Sequence, residues 1–157
     1  MTMTTTTATA TPTATAGHPA VPTDLYLRVQ HFYAHQMQHL DSGRFEEYAA
    51  TFTEDGEFQH SPGVEPARTR PGIVRELAEF HKRFDGDPVQ RRHWFNHIAL
   101  ELQEDGTVSS TAYALVVNVR PGGKPDVTRS CVVHDTVVDG PEGIRLKSRR
   151  VTHDGMG

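Results

Sequence analysis

The chain has 157 residues, a formal net charge of −4 at pH 7 and an isoelectric point near 6.2. This charge, and the lack of any apolar run near the ~20 residues that cross a bilayer, predict a protein that neither binds nucleic acid nor spans a membrane. One cysteine, Cys131, excludes a disulfide framework within the chain and a multi-cysteine zinc site, and it fits the cytoplasmic location that we expect.

The N-terminal segment differs in composition from the rest of the chain. From Met1 to Pro22 there is no Asp, Glu, Lys or Arg, and Thr and Ala dominate. Such a segment buries too little apolar surface to offset the entropy lost on ordering. It also lacks the basic start and the continuous apolar stretch of a secretory signal. We therefore expect residues 1–22 to be a disordered tail and residues 23–157 to form one domain.

An apolar stripe at helical spacing follows Pro22, and Thr23 and Asp24 are residue types suited to a helix start. Gly43 suits the left-handed position that ends a helix. The stripe predicts an amphipathic helix of about five turns between these signals. Its members are Leu25, Val29, Phe32, Gln36 and Leu40.

Shorter elements fill the next forty residues or so, where apolar spacing and turn-forming residues alternate. Pro71 suits the first turn of a helix because its missing N–H would have no partner there. In chain order we predict a helix at 45–52, a turn at 53–56, a short strand at 57–60, a loop at 61–70 and a helix at about 71–84.

After Pro88 the apolar period changes from helical to two, which is typical of strands. Short polar loops separate the strands, so we expect consecutive antiparallel pairing. Helices followed by a run of strands predict an α+β domain with the helices on one face of the sheet. The predicted strands are 92–102, 107–119, 127–138 and 144–152.

Five short motifs mark this order of elements: Leu40-Asp41-Ser42-Gly43, Phe45-Glu46-Glu47-Tyr48, Phe52-Thr53-Glu54-Asp55-Gly56-Glu57-Phe58, His93-Trp94-Phe95-Asn96 and Arg149-Arg150-Val151-Thr152-His153-Asp154. The pattern resembles the nuclear transport factor 2-like superfamily, in its SnoaL-like and scytalone dehydratase-like branch. The stretch 25–58 is most similar to actinomycete polyketide-tailoring proteins of the actinorhodin pyran-ring type. The resemblance implies an α+β barrel, in which a cone-shaped, curved mixed or antiparallel sheet wraps around the N-terminal helices.

The resemblance also implies a catalytic pair, Asp41 and His93, facing the cavity of the cone. A histidine transfers protons near neutral pH, and a carboxylate on its second nitrogen fixes the tautomer and stabilises the cation. On a helical wheel Asp41 lies at the edge of the apolar stripe, so a solvated residue before a turn is the alternative interpretation.

Further candidates for substrate binding come from the same comparison. Asn118 stands where scytalone dehydratase has a second histidine, and Phe58 stands where it has a tyrosine that positions water. His60 follows two residues later on the same strand face. Arg129 and Asn118 suit a phenolate, enolate or carboxylate; for Arg129, an exposed strand charge is an equal alternative.

Aromatic side chains supply a second kind of candidate. Tyr48, Phe58 and Trp94 are predicted to line a flat pocket for an aromatic substrate, although core packing alone also explains them.

Metal and cofactor sites are not expected. His31, His35 and His39 align along one helical face, but that face lies away from the apolar stripe and no His-Glu-x-x-His motif is completed. No Gly-rich phosphate loop follows a strand, so no nucleotide cofactor is implied.

Three functions fit these observations. The leading hypothesis is a cofactor-independent dehydratase or cyclase that acts on an aromatic polyketide intermediate, with pyran-ring formation as one form of the reaction. The second is an epoxide hydrolase, for which Asp41, Arg129 and Asp135 supply the residue types. The third is a non-catalytic ligand carrier or scaffold, such as the small subunits of ring-hydroxylating dioxygenases. The resemblance further implies a homodimer.

Overall fold

The computed structural model describes residues 19–156. The predicted disordered tail therefore lies outside the described residues, apart from residues 19–22. Within residues 19–156 there are three α-helices, as predicted; two precede the first strand, and the third follows the second strand and is extended by a short 3-10 turn. Their bounds are α1 Thr23–Asp41, α2 Phe45–Ala50 and α3 Arg70–His81, with the 3-10 turn at Lys82–Phe84.

The two ends of α1 differ in how well the sequence predicted them. At the start, no side chain caps the helix, and the Pro22 carbonyl accepts from the Tyr26 N–H instead, so the suggested side-chain cap is wrong. At the end, Gly43 has a φ of 70°, as predicted. The N–H groups of Gly43 and Arg44 donate to the carbonyls of Leu40 and His39. This Schellman arrangement fixes the last turn of α1.

In the part of the chain that the structure describes, six strands form one mixed sheet in the order β2-β1-β6-β5-β4-β3. β3 to β6 pair antiparallel with their sequence neighbours, as predicted. β1 pairs parallel with β6, and the two-residue β2 lies within the predicted loop 61–70. The bounds are β1 Phe52–Gln59, β2 Ala67–Arg68, β3 Gln90–Leu102, β4 Val108–Val119, β5 Asp126–Gly140 and β6 Gly143–His153.

The predicted turn at 53–56 is part of β1, but it leaves the ladder as a bulge. Phe52 pairs with Leu146 and Glu57 pairs with Ser148, so β1 advances further than β6 between the two pairs. Gly56 is buried here, and a Cβ on it would lie 2.8 Å from the Phe52 Cβ. The turn-forming residues thus bend a strand rather than end one.

The helices cover the inner face of the curved sheet. α1 packs on β3, and α3 packs on β1 and α2. Val29, Tyr48, Phe52, Ile73 and Leu146 are fully buried between these layers. Each such side chain contributes about 1.5–3 kcal/mol to the free energy of unfolding. Among residues 19–156, no helix is long and apolar enough to cross a membrane.

Candidate active site

A cavity of about 380 Å³ lies between the helices and the inner face of β3 to β6. Strand alternation decides its walls, because every second side chain of each strand points inward. Three small apolar side chains, Ala114, Cys131 and Val133, form a separate cluster at the back of the cavity, against Phe95 and Val151. The cavity therefore has an apolar interior, and the polar groups described below face it.

Asp41 and His93 meet at one side of this cavity, where His93 lines the wall and Asp41 lies behind it, in a neighbouring recess. Asp41 is the last residue of α1, held there by the Gly43 cap, and His93 is an inward residue of β3. The His93 Nδ1 lies 2.6 Å from Asp41 Oδ1, and the His93 backbone N–H donates to Asp41 Oδ2 at 3.1 Å. Their side chains are 17% and 7% exposed. The predicted hydrogen-bonded pair is therefore formed and the alternative of a solvated Asp41 is wrong, but of the two residues only His93 lines the cavity.

The tautomer of His93 follows from these contacts. An ionised Asp41 accepts only, so the neutral imidazole carries its proton on Nδ1 and keeps a lone pair on Nε2. In residues 19–156 no protein group hydrogen-bonds that Nε2, and His93 lines the cavity. This leaves Nε2 without a protein partner in the described residues, with a carboxylate on the other ring nitrogen.

His81, which the sequence analysis did not single out, is a second imidazole in the cavity. It ends α3, and its Nδ1–H donates to the Leu77 carbonyl at 2.8 Å, which leaves Nε2 available. Burial lowers the pKa of His81, and the charges of Arg91, His93 and Arg83 lower it further, against the hydrogen bond to Leu77. His81 is therefore a neutral hydrogen-bond acceptor near neutral pH.

Arg149 and Asp135 form a buried ion pair under the cavity floor. Two N–H groups of Arg149 donate to the two carboxylate oxygens of Asp135, at 2.9 and 2.7 Å, and both side chains are almost fully buried. The Tyr33 hydroxyl donates to the same carboxylate at 2.7 Å, and Arg149 donates to the Tyr48 hydroxyl at 3.1 Å. Burial acts to lower the pKa of Arg149, but the Asp135 carboxylate has the opposite effect, and the net result is a pKa above the ordinary value of an arginine.

Five of the six predicted substrate-binding residues lie in the cavity wall: Tyr48, Phe58, His60, Asn118 and Arg129. Phe58 is part of its apolar side, and Asn118 and Arg129 stand where β4 ends and β5 begins. Arg129 is exposed and also lines the cavity, so its position is compatible with both interpretations, an exposed strand charge and a contact for a substrate. The His60 Nε2 lies 2.6 Å from Glu76 Oε1, and its Nδ1 lies 3.0 Å from Ser61 Oγ, so both of its ring nitrogens are engaged.

Of the other two aromatic candidates, Tyr48 lies in the cavity wall as predicted and Trp94 does not. Trp94 is 66% exposed on the outer face of the sheet, so the prediction that it lines the substrate pocket is wrong. The physical reason is strand alternation: its neighbours His93 and Phe95 point inward, so Trp94 points outward. Tyr48 belongs to the wall but has 0% exposed surface, and its hydroxyl binds Arg149; it therefore supports the wall from behind.

The structure does not assemble the residues proposed for epoxide opening. The Asp135 carboxylate is taken by Arg149 and Tyr33, and Asp135 is absent from the cavity wall. Within the part of the chain that the structure describes, no group of three or more metal-ligating side chains is found. His31 and His35 lie on the exposed face of α1, with their Nε2 atoms 3.1 Å apart.

The sequence analysis did not identify Arg149 and Arg91 as residues of the site, because each of them has an arginine next to it in the sequence. Arg149 and Arg150 are adjacent in β6, so one points inward and the other outward, and only the pairing of Arg149 with Asp135 decides which. Likewise Arg91 and Arg92 are adjacent at the start of β3, and Arg91 lines the cavity. Because adjacent strand residues point to opposite faces, one arginine of each pair must point inward, but the sequence alone does not show which one.

Comparison with known proteins adds independent information. A family model described as a SnoaL-like domain matches residues 23–150. The structure of ActVI-ORFA from Streptomyces coelicolor is 51% identical, with a TM-score of 0.81, and the match covers 87% of this chain and 99% of that one. A protein from Catenulispora acidiphila, solved in complex with S-DNPA, is 48% identical with a TM-score of 0.77, covering 85% of this chain and 96% of that one.

A third relative comes from a different kind of protein. The anthranilate 1,2-dioxygenase small subunit of Burkholderia cepacia is 30% identical over 126 residues, which cover 74% of this chain and 78% of that protein. Because this relative is a subunit of an oxygenase, the scaffold hypothesis has to be compared with the enzyme hypothesis.

Proposed function

Because this chain belongs to the SnoaL-like domain family, we propose that it is a cofactor-independent lyase that dehydrates or cyclises an aromatic polyketide intermediate. The observation that carries the proposal is the Asp41–His93 hydrogen bond of 2.6 Å at the wall of an apolar cavity. Such a reaction needs a group that moves protons and a space from which bulk water is excluded.

The proposed step begins with the free Nε2 of His93. This nitrogen removes a proton from a carbon next to a substrate carbonyl, and the resulting enolate oxygen is stabilised by the amide of Asn118 and the charge of Arg129. The enolate then expels a hydroxyl from the neighbouring carbon. The protonated Nε2 returns its proton to that hydroxyl, so that one water leaves and His93 is neutral again.

Ring closure uses the same residues. Here Nε2 takes the proton of an attacking substrate hydroxyl, whose oxygen bonds to the carbonyl carbon as the carbonyl π bond breaks. The former carbonyl oxygen then takes that proton from Nε2 and becomes a hydroxyl, so that His93 is neutral again. In both cases Asp41 stabilises the transient imidazolium through the bond to Nδ1. The low dielectric of the apolar cavity strengthens this stabilisation.

The size and shape of the cavity support binding of a small aromatic molecule. Its volume of about 380 Å³ lies in the range of small-molecule sites. The related Catenulispora protein was solved with S-DNPA, which makes that compound a suitable first ligand for this chain.

The second candidate is a scaffold function, which is suggested by the similarity to the dioxygenase small subunit. A scaffold needs no open interior and no convergent polar pair. The open cavity and the Asp41–His93 pair therefore favour the enzyme, and turnover decides between the two.

We also propose that the protein forms a homodimer through the outer face of β3 to β5. Trp94, Tyr113, Leu115 and Val127 are large apolar side chains on this face, and between 43% and 66% of each is exposed. Trp94 pairs with Leu115 across the strands, so the patch is continuous. A two-fold interface would bury the same patch on both copies.

The test uses 3-hydroxy-1-tetralone, a β-hydroxy ketone fused to an aromatic ring, which becomes 1-naphthol on losing one water. We expect the wild-type chain to form 1-naphthol, detected by fluorescence and by mass. His93→Gln should lower kcat by about 10²–10⁴-fold because it removes the base. The matched control, His35→Gln, changes an exposed histidine of α1 and should keep the wild-type rate. Equal rates for His93→Gln and the wild type would overturn the proposal.

A further inference from the structure

We propose that His31 and His35 on α1 bind a divalent transition-metal ion, of the class of Cu²⁺, Ni²⁺ or Zn²⁺, through their Nε2 atoms. The two histidines line a surface recess between α1 and the turn that joins β5 to β6. Among the described residues, this recess and the cavity share no lining side chain. The site is therefore independent of the proposed reaction.

The two Nε2 atoms converge at the separation that a shared ion requires. They lie 3.1 Å apart, and the two rings meet edge to face with their centres 4.4 Å apart. Two imidazole nitrogens that bind one ion at about 2.0–2.1 Å, at an angle between about 90° and 110°, lie about 2.8–3.4 Å from each other. The observed separation falls within this range, so an ion can bind both nitrogens without a change in the backbone of α1.

The helix holds the two histidines at this spacing. His31 and His35 are four residues apart, so they lie one above the other on the same face of α1. The other side of α1 is packed into the core through Val29, Tyr33 and Gln36, which are at most 2% exposed. Because α1 is fixed by this packing, the second nitrogen binds the ion as an intramolecular ligand, which strengthens binding.

The two side chains offer the ligand type that these ions prefer. Imidazole nitrogens suit Cu²⁺, Ni²⁺ and Zn²⁺, whereas Mg²⁺ and Ca²⁺ prefer oxygen. Binding requires each ring to carry its proton on Nδ1, so that both Nε2 lone pairs are available. His31 and His35 are exposed, so water can bind Nδ1 and fill the remaining coordination positions of the ion.

The charges around the recess do not repel a cation. The Arg28 guanidinium lines the recess, but the carboxylates of Asp24 and Asp139 hold it through hydrogen bonds of 2.8 to 2.9 Å. The other charged side chains that line the recess are two glutamates and one arginine, Glu47, Glu142 and Arg145. Carboxylates therefore outnumber guanidinium groups around the two histidines, which favours a bound cation.

His39, the third histidine of the same helical face, does not complete the site. It lies one turn further along the recess and is partly buried. Among residues 19–156 no group of three His, Cys, Asp or Glu side chains is placed to hold an ion. From the sequence we expected no metal site on this face, because spacing alone does not show which side chains converge. The distance between the Nε2 atoms gives that information for His31 and His35.

The test titrates Ni²⁺ into the full chain by isothermal titration calorimetry near neutral pH, in a buffer that does not bind metals. We expect the wild type to bind one Ni²⁺ per chain. His31→Gln and His35→Gln should each weaken binding by about 10²-fold, because the ion is then held by one nitrogen instead of two. The matched control, His39→Gln, removes a histidine from the same recess and should keep the wild-type affinity.

Electron paramagnetic resonance with Cu²⁺ gives a second measurement that does not depend on affinity. We expect the spectrum to show two coordinated imidazole nitrogens in the wild type and one in His31→Gln or His35→Gln. A hydrogen bond between the two rings would also explain the distance of 3.1 Å. That alternative predicts no saturable Ni²⁺ binding by the wild type.

Two results would overturn the inference. One is the lack of saturable Ni²⁺ binding by the wild type, and the other is an unchanged affinity in both His31→Gln and His35→Gln, which would place the ion elsewhere on the chain. Failure of the metal site is separable from failure of the proposed function, since both variants should keep turnover of 3-hydroxy-1-tetralone. Conversely, His93→Gln should lose turnover and keep Ni²⁺ binding.

Discussion

One residue, His93, holds both carboxylate oxygens of Asp41: its ring Nδ1 lies 2.6 Å from Oδ1, and its backbone N–H donates to Oδ2. The pair joins the end of α1 to β3 through two residues that are 52 positions apart in sequence. Because the backbone bond fixes the carboxylate, the ring bond has one geometry, and Nε2 is directed at the cavity. The tautomer of His93 is therefore set by the fold.

Asp41→Asn tests this role of the carboxylate. An amide at this position can donate to Nδ1 and so favours the tautomer with its proton on Nε2, which is no longer a base. We expect kcat for 3-hydroxy-1-tetralone to fall by about 10²–10⁴-fold with little change in KM. The ¹⁵N shifts of His93 should report the change of tautomer, and Asp55→Asn on the exposed bulge of β1 should leave both measurements unchanged. Unaltered ¹⁵N shifts in Asp41→Asn would contradict the assignment.

The pH dependence of stability should reflect His81. Burial lowers the pKa of His81 in the folded protein, so below its usual value of about 6.5 the unfolded chain binds a proton that the folded protein does not. This contribution is fully present above pH ~6.5 and is lost as the pH falls through the folded pKa. Urea unfolding of the wild type and His81→Gln across that range measures it. The wild type should lose stability more steeply on acidification, and parallel curves would refute the expectation.

The buried pair of Arg149 and Asp135 should be costly to break. Asp135→Asn leaves the Arg149 charge buried without a counter-ion and should lower the free energy of unfolding by about 3–5 kcal/mol. Replacing both residues together, with Arg149→Met and Asp135→Leu, should recover part of this loss because no charge is then buried. Urea unfolding measures each variant. Asp87→Asn, in an exposed ion pair, is the control and should change little.

The proposed dimer predicts a clear effect at the outer face of the sheet. Trp94→Glu places a charge in the centre of the apolar patch and should weaken self-association by at least about 30-fold. Sedimentation velocity over a range of concentrations measures the change. Leu27→Glu, an exposed apolar residue on α1, is the matched control and should leave association as it is in the wild type. A monomeric wild type would remove the proposal of a dimer.

Much of the architecture followed from periodicity alone. The apolar stripe of α1, the Gly43 cap and the change from helical to two-residue period after Pro88 predicted the helices and the four long strands. These features depend on residues that are close together in the sequence, so they can be predicted from the sequence alone. The parallel pairing of β1 with β6 depends on contacts across the whole chain, and no local signal announced it.

For the site, the sequence determined which residue types were present, and the tertiary structure decided which of them face one another. Asp41 and His93 were predicted from the family resemblance, but Trp94 was assigned to the wrong face, and Arg91, His81 and Arg149 were not identified. The reason is physical: adjacent strand residues point in opposite directions, and a shift of one residue in register exchanges the two faces. Only the pairing of β3 to β6 under the helices settles that register, and with it which charges a substrate meets.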